Sequence, residues 1–468
     1  MTWPPHAPAV QLCYASTLFG AMTLAAAIDA GLLGPRPERR LLLVSNNTAI
    51  PEITPALDEA PGFAALRGRF DEVHSWNEII APLHPADWRA RVIEVPMIGR
   101  LLRHRLGLGD APAELFVESI AVPPARTIAG LLQDCPITVY ADGLMSYGPT
   151  RDPLPAEIAG RITRLLHLDL VPGLVPLLLT EYGVPSEPIP DEAFRAVIDE
   201  VTEAVTGAAA EGTGGAAPGG ATGAPPVGGP GDGAHGGVAV ILGQYLSALG
   251  VLTAAEEDEL HADLLRGVRA RGHTSVLFKP HPAAGRRHAR HVRRVAGELG
   301  VRLTVAAGTT PAEVYFGTLR PALVAGCFST ALTTARRCFG LPVATLGGET
   351  VLERLTPYEN SNRVPATIVH ATVPRLAADG TLTEPPPVDL PGLVRAVGYC
   401  MRAEAHPELR EEAAAYVRAN GPECYFKRRR LWSLELIPPP PPPEPSPPPR
   451  PRDTGAFARL RRRLTARP

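Results

Sequence analysis

Short apolar runs, each cut off by polar or turn-forming residues, recur along this chain. Val10–Tyr14, Leu41–Val44, Pro136–Tyr140, Val238–Leu242, Thr274–Phe278, Val301–Val305, Pro321–Gly326 and Leu341–Leu346 are of this kind. Arg69–Val73 and Ala113–Val117 are weaker examples. Runs of this length bounded by turn signals read as strands buried on both faces. Helical stretches separate them. Leu18–Leu33 stops at Gly34-Pro35, Thr253 caps a segment with three early acids, and Ala331–Phe339 stops at Gly340. Strand–helix alternation predicts parallel sheets with helical crossovers, an α/β class.

Open parallel sheets bind ligands at the carboxyl ends of their strands, so the residues that end each run are the candidates for chemistry. Thr274–Phe278 ends in Lys279-Pro280-His281-Pro282. Prolines on both sides of a histidine fix the backbone and remove two amide donors, so the chain must leave the sheet there. A lysine and an imidazole at such a mouth suit a phosphate; a proline-bracketed loop with a surface histidine is the plainer reading. Val238–Leu242 runs into Gly243-Gln244, where a glycine admits close approach of a ligand or simply turns the chain. Pro321–Gly326 leads to Ser329-Thr330 at a helix start, which offers amides and hydroxyls to an anion or does ordinary N-capping. Glu313, in the first turn after Pro311, complements a helix dipole or holds a ribose diol. Pro136–Tyr140 ends in Ala141-Asp142-Gly143, so Asp142 is either a general base or part of a common Asp-Gly turn. Three of these endings fall in one half of the chain, and parallel strands would bring them to one sheet edge.

The length of 468 residues accommodates two domains and tails. The division expected is 1–190 as a first domain, 191–236 as a connector with a disordered Gly/Ala/Pro segment, 237–390 as a second domain, 391–437 as a helical segment, and 438–468 as a disordered tail. Within the first domain, Leu165–Leu179 contains Pro172 and Pro176 and receives no assignment, and Tyr182–Pro190 reads as a rigid connector. The net charge of −2 gives no general attraction to nucleic acid. Six scattered cysteines form no CxxC or Cys/His cluster, so no metal site is expected and the thiols suit a reducing cytoplasm. No basic region precedes the apolar stretch from Ala7 to Gly34, which reads as strand plus helix and not as a signal peptide. After the polyproline of 438–451, residues 453–468 place apolar side chains on one helical stripe among arginines. Such a segment is either a peripheral contact with an anionic membrane or, the favoured reading, a solvated tail.

Together these motifs resemble the bacterial polysialyltransferases and related sialyltransferases. That resemblance spans roughly Val10 to Val373 and rests on Ala141-Asp142-Gly143, His281-Pro282 and Ser329-Thr330 in the family's order, with Lys279 two positions before the histidine. It implies a GT-B fold: two Rossmann-like domains whose parallel sheets face each other across a cleft. It implies transfer of a sialic-acid-type sugar from a CMP-activated donor to a glycan hydroxyl, by inversion and without a metal or other cofactor. Asp142 would be the base and His281 the group that stabilises the leaving phosphate. Gly243, Gln244, Lys279, Pro282, Glu313, Ser329 and Thr330 would hold the nucleotide. The enzyme would work in the cytoplasm, at or near the inner face of the membrane. The family usually shows two acids before the glycine, and here the first is Ala141. Transferases of CDP-glycerol or CDP-ribitol look similar in their His-Pro and serine motifs. The missing acid motivates a further alternative, an inactive glycan- or nucleotide-binding protein of the same fold.

Overall fold

The computed structural model describes residues 9–211, 237–281, 288–306 and 309–439. The low-complexity segment 212–236, Pro282, the polyproline from 440 onward and the basic segment 453–468 lie outside the described residues.

Two seven-stranded sheets carry the architecture. The first contains β1 (Val10–Ala15), β2 (Arg39–Val44), β3 (Glu72–Ser75), β4 (Ala113–Val117), β5 (Ile137–Ala141), β6 (Ile162–Leu168) and β7 (Ser186–Ile189), in the order β3-β2-β1-β4-β5-β6-β7. Every pairing in it is parallel. The second contains β8 (Ala239–Leu242), β9 (Ser275–Lys279), β10 (Arg302–Val305), β11 (Leu323–Gly326), β12 (Val343–Thr345), β13 (Arg375–Leu376) and β14 (Leu382–Thr383), ordered β10-β9-β8-β11-β12-β13-β14. Only the short β13–β14 pair is antiparallel. Both sheets therefore repeat the doubly wound order, with a switch point between β1 and β4 and another between β8 and β11. Two Rossmann-like lobes facing across a cleft make a GT-B fold.

The strands form where the apolar runs predict them, because they are buried on both faces. Leu12, Leu42, Leu115, Val139, Val240, Phe278 and Val324 are almost wholly excluded from solvent. β6 and β7 were not anticipated. Prolines at 185, 188 and 190 argue against a strand, yet β7 is the edge of its sheet, where a missing amide donor is tolerated.

The expected connector is a correction. Residues 191–211 form a continuous helix, Asp191–Glu211, with two acids in its first turn. Phe194, Val197, Ile198 and Val201 recur at helical spacing and are fully buried. The helix packs on the helix Leu18–Asp29 of the first lobe and on Ala312–Leu319 of the second. Phe194 meets Phe19 edge to face at 5.5 Å. One apolar cluster thus runs from Phe116 and Tyr140 in the first lobe through this helix to Phe316 and Leu332 in the second.

The carboxyl-terminal end packs back on the lobes as expected, through Leu390–Met401, Arg410–Asn420 and Arg428–Ser433. A Cβ on Gly398 would come within 2.5 Å of Leu177 Cδ1, and Arg402 donates to the Arg151 carbonyl at 2.9 Å. Both partners belong to the first lobe. No helix among the described residues is long and apolar enough to cross a membrane.

Removing the Phe194 ring should cost ~3–5 kcal/mol. Chemical denaturation of Phe194→Ala should show that loss. Glu203→Ala, at an exposed position of the same helix, should stay within ~0.5 kcal/mol of the parent.

Candidate active site

In the second lobe, a connected set of contacts fixes the loop that follows β8. The Gly243 amide donates to the Lys279 carbonyl at 2.8 Å, tying the end of β8 to that of β9. A Cβ at 243 would sit 2.8 Å from Phe278 Cζ. Strand packing therefore demands this glycine, where the sequence suggested close approach of a ligand. Gln244 bridges two strand ends: its amide donates to His261 Nε2 at 3.3 Å, and its side-chain oxygen accepts from the Phe328 amide at 3.4 Å. Glu257, buried in the helix Ala254–Ala270, accepts from the amides of Leu246 at 2.7 Å and Ser247 at 3.1 Å. Among the early acids of that helix, Glu256 makes a capping box with Thr253, whereas Glu257 holds the loop. The sequence showed three acids and did not distinguish these tasks.

Lys279 is 5% exposed, and its Nζ donates to the Pro280 carbonyl at 2.9 Å. Burial brings its pKa down to about 8, against the opposing pull of Glu313. The His281 ring lies on Tyr245 with centroids 4.0 Å apart. Burial, and then the Lys279 charge, lower its pKa to about 4. At neutral pH Lys279 thus keeps a positive charge, while His281 is a neutral donor. Glu313 is buried, accepts from Thr334 Oγ1 at 2.6 Å, and is raised in pKa chiefly by desolvation. Ser329 caps the helix Thr330–Phe339 by accepting from the Ala331 amide at 3.3 Å. Thr330 Oγ1 accepts from the Leu144 amide of the opposite lobe at 3.4 Å.

These groups converge. Gly243, Gln244, Lys279, His281, Glu313, Ser329 and Thr330 all line one cavity of about 320 Å³, joined by Thr17, Phe19 and Met145 from the first lobe. Pro282 cannot be placed with them, being outside the described residues. Asp142 does not line the cavity itself, but its turn does, through Met145. A Cβ on Gly143 would stand 3.1 Å from Thr330 Oγ1, so this glycine permits the lobes to touch. Asp142 is half-buried, its pKa is raised by desolvation, and its charge reaches Glu313 across the cleft. Ala141 packs on the apolar cluster of the other sheet face.

Sequence reasoning missed one acid. Glu118 follows β4 directly and is 6% exposed. Its Oε1 accepts from the Ser16 amide at 2.7 Å and from the Ser16 hydroxyl. Burial first, and Asp142 second, push it up to about 8. The available signal was its place: a charged residue ending a predicted strand.

The arrangement sets a buried cation, a neutral imidazole and a helix start on one side of the cleft, and carboxyl groups on the other. Such a site stabilises an anion that leaves while a carboxylate takes a proton from an incoming hydroxyl. Residues 11–347 match the family described as alpha-2,8-polysialyltransferase. The chain belongs to that family. It is a sialyltransferase-like glycosyltransferase. Among solved structures it is similar to the GT-B domain of a sialyltransferase from Photobacterium damselae, at 11% identity over 77% of this chain and 96% of that one, with a TM-score of 0.39. It is similar also to a 2,6-sialyltransferase of Photobacterium sp. JT-ISH-224 in complex with CMP and lactose, at 12% identity, 77% and 75% coverage and a TM-score of 0.40. MurG of Acinetobacter baumannii shares 11% identity over 92% of this chain and 98% of that one, with a TM-score of 0.38. No curated protein sequence matches.

For a polysialyltransferase-family enzyme the charge on Lys279 has a measurable consequence. Calorimetry should show nucleoside monophosphate binding weakening as pH rises through about 8, where that charge is lost. Lys279→Met should bind ~10-fold or more weakly and lose this dependence, as removal of a charged hydrogen bond implies.

Proposed function

We propose that this chain moves a sialic-acid-type sugar from a CMP-activated donor to a glycan hydroxyl in one inverting displacement. The observation that supports this most is the convergence of Lys279, His281, Glu313 and the Ser329-Thr330 helix start on one cavity, with the Asp142 turn touching Thr330 from the other lobe.

The donor phosphate would lie between Lys279 and the first turn of Thr330–Phe339, where the amides point at it and the dipole favours it. Glu313 would meet the ribose hydroxyls. Asp142 would take the proton of the acceptor hydroxyl as its oxygen bonds the anomeric carbon. The bond from that carbon to the phosphate oxygen would break on the opposite side, and its electrons would leave with CMP. His281 is neutral at neutral pH, so it would first serve as an N–H donor to the phosphate. The arriving anion would then raise its proton affinity at the moment charge develops on the leaving group. A single displacement inverts the anomeric centre.

Purified protein given CMP-sialic acid and a sialylated glycan should release CMP, and with CDP-glycerol it should not. The reverse preference would replace this reading by polyol-phosphate transfer, and tight CMP binding without turnover would favour a binding protein. Asp142→Asn should lower kcat ~10²–10⁴-fold while leaving CMP affinity within a few-fold, as loss of a general base does. An unchanged kcat would remove Asp142 from the reaction.

A further inference from the structure

We propose that Glu118 is a positioning residue of the transfer reaction: held by Ser16 at the end of β4, it forms a carboxyl pair with Asp142 at the end of β5 and acts through Asp142. The inference rests on the reading of Asp142 as the base.

The pair is assembled from two strands. Val117 of β4 lies level with Val139 of β5, so Glu118 is level with Tyr140, two residues before Asp142. Phe116 and Tyr140 belong to the cluster on the sheet face that carries the helix Leu18–Asp29. Side chains alternate along strands, so Glu118 projects to that same face.

The carboxyl is held on purpose-built partners. Ser16 donates to it with both amide and hydroxyl. Gly20, in the first turn of the helix, leaves the space that its other oxygen fills: a Cβ there would be 2.5 Å from Oε2. The groups facing it are Tyr14 from β1, Tyr140 and Asp142 from β5, and Ser16 at the helix start. Across the cleft, Glu313 faces Asp142. Two carboxyls at the ends of adjacent strands, on one sheet face and shielded from water, resist ionising together. Glu118 is the less exposed of the two and is pushed up to about 8, so it is the one that resists ionising; desolvation pushes Asp142 up as well. During transfer Asp142 gains the acceptor's proton, so the pair briefly holds two and returns one to water. When Glu118 ionises, a second negative charge pushes Asp142 off its place and repels anionic substrates.

Two measurements on the full chain test this. The first is kcat against pH at saturating CMP-sialic acid, where the bound donor phosphate beside Lys279 keeps that lysine charged to higher pH and so separates it from the pair. Wild-type kcat should fall several-fold above about pH 8. Glu118→Gln keeps the acceptor atom for Ser16 and cannot ionise, so its kcat should stay level there. The same alkaline fall in E118Q overturns the proposal. The second measurement needs no substrate. Folded Glu118 holds its proton to about pH 8, whereas the unfolded residue loses it near its ordinary value of 4.5. This group therefore subtracts stability progressively as pH rises from about 4.5 to 8. The Tm of E118Q should gain on wild type by at least ~2 °C between pH 5 and 8, and a constant difference overturns the proposal. If wild type turns over no CMP-sialic acid, the donor reading fails, and this second measurement alone decides the pair. If E118Q does not fold, Gly20→Ala displaces the carboxyl while favouring the helix; it should move the alkaline limb to lower pH, and an unmoved limb counts against the pair.

Discussion

The helix Asp191–Glu211 sits between the two lobes, and the geometry of the cleft depends on it. Its apolar stripe is shared: Phe194 meets Phe19 on one side, and Thr202 lies 3.3 Å from where a Cβ on Gly317 would be on the other. Ion pairs pin its sides. Arg337 reaches Asp191 at 2.7 Å, and Arg69 bridges Asp29 at 2.6 Å and Glu200 at 2.7 Å. The magnitudes rank these effects. An exposed or half-exposed pair contributes ~0–1 kcal/mol, whereas burying one large apolar side chain contributes ~1.5–3 kcal/mol. The wedge is therefore held by packing and oriented by charge. With the lobes so spaced, the turn after β5 reaches the start of Thr330–Phe339, and two sites half a chain apart become one.

Within the second lobe the same economy makes the pocket rigid before any nucleotide arrives. The loop after β8 has no secondary structure of its own, but its amides are spent on Lys279, His261 and Glu257. Burying Lys279 and Glu313 near each other costs desolvation on both, which is visible in the opposite directions of their pKa shifts. That cost makes the lysine respond to an incoming anion, since a charge shielded from water interacts more strongly with one that approaches it.

The strands and the ligand-bearing edge were legible because both follow from local pattern. A buried parallel strand reads as an apolar run, and what interrupts the run marks the sheet edge. Lys279, His281, Ser329 and Thr330 were found that way and Glu313 as an acid in a helix's first turn, and the fold gathers them around one cavity. Other features were not found, β6 and Glu118 among them. The helix Asp191–Glu211 has a clear period in Phe194, Val197, Ile198 and Val201, but it abuts a stretch of glycine and alanine that dominated the reading. β7 is masked by its prolines, which matter less at an edge than in a sheet centre. The task of Glu257 depends on a loop ten residues upstream folding back on the helix, which no period encodes. Gly243 lines the cavity, and the crowding that a Cβ there would meet comes from a phenylalanine of its own sheet, which no local pattern shows.

Glu118 shows why a site cannot be read from its motif alone. The family pattern leads one to look for two consecutive acids, and at 141 there is an alanine turned toward the apolar cluster on the opposite face. Successive strand residues point to opposite faces, so neighbours in sequence are poor neighbours in space, whereas residues level on adjacent strands are good ones. A carboxyl next to Asp142 is thus more readily supplied by β4 than by position 141. Its burial is a standing loss of stability at neutral pH, because the folded site keeps a proton that the unfolded chain would release. Satisfying Ser16 does not require an acid, since a glutamine oxygen accepts the same two bonds. Where a neutral side chain would pack as well and cost less, the proposed effect on Asp142 accounts for an ionisable one, and the needs of the fold do not.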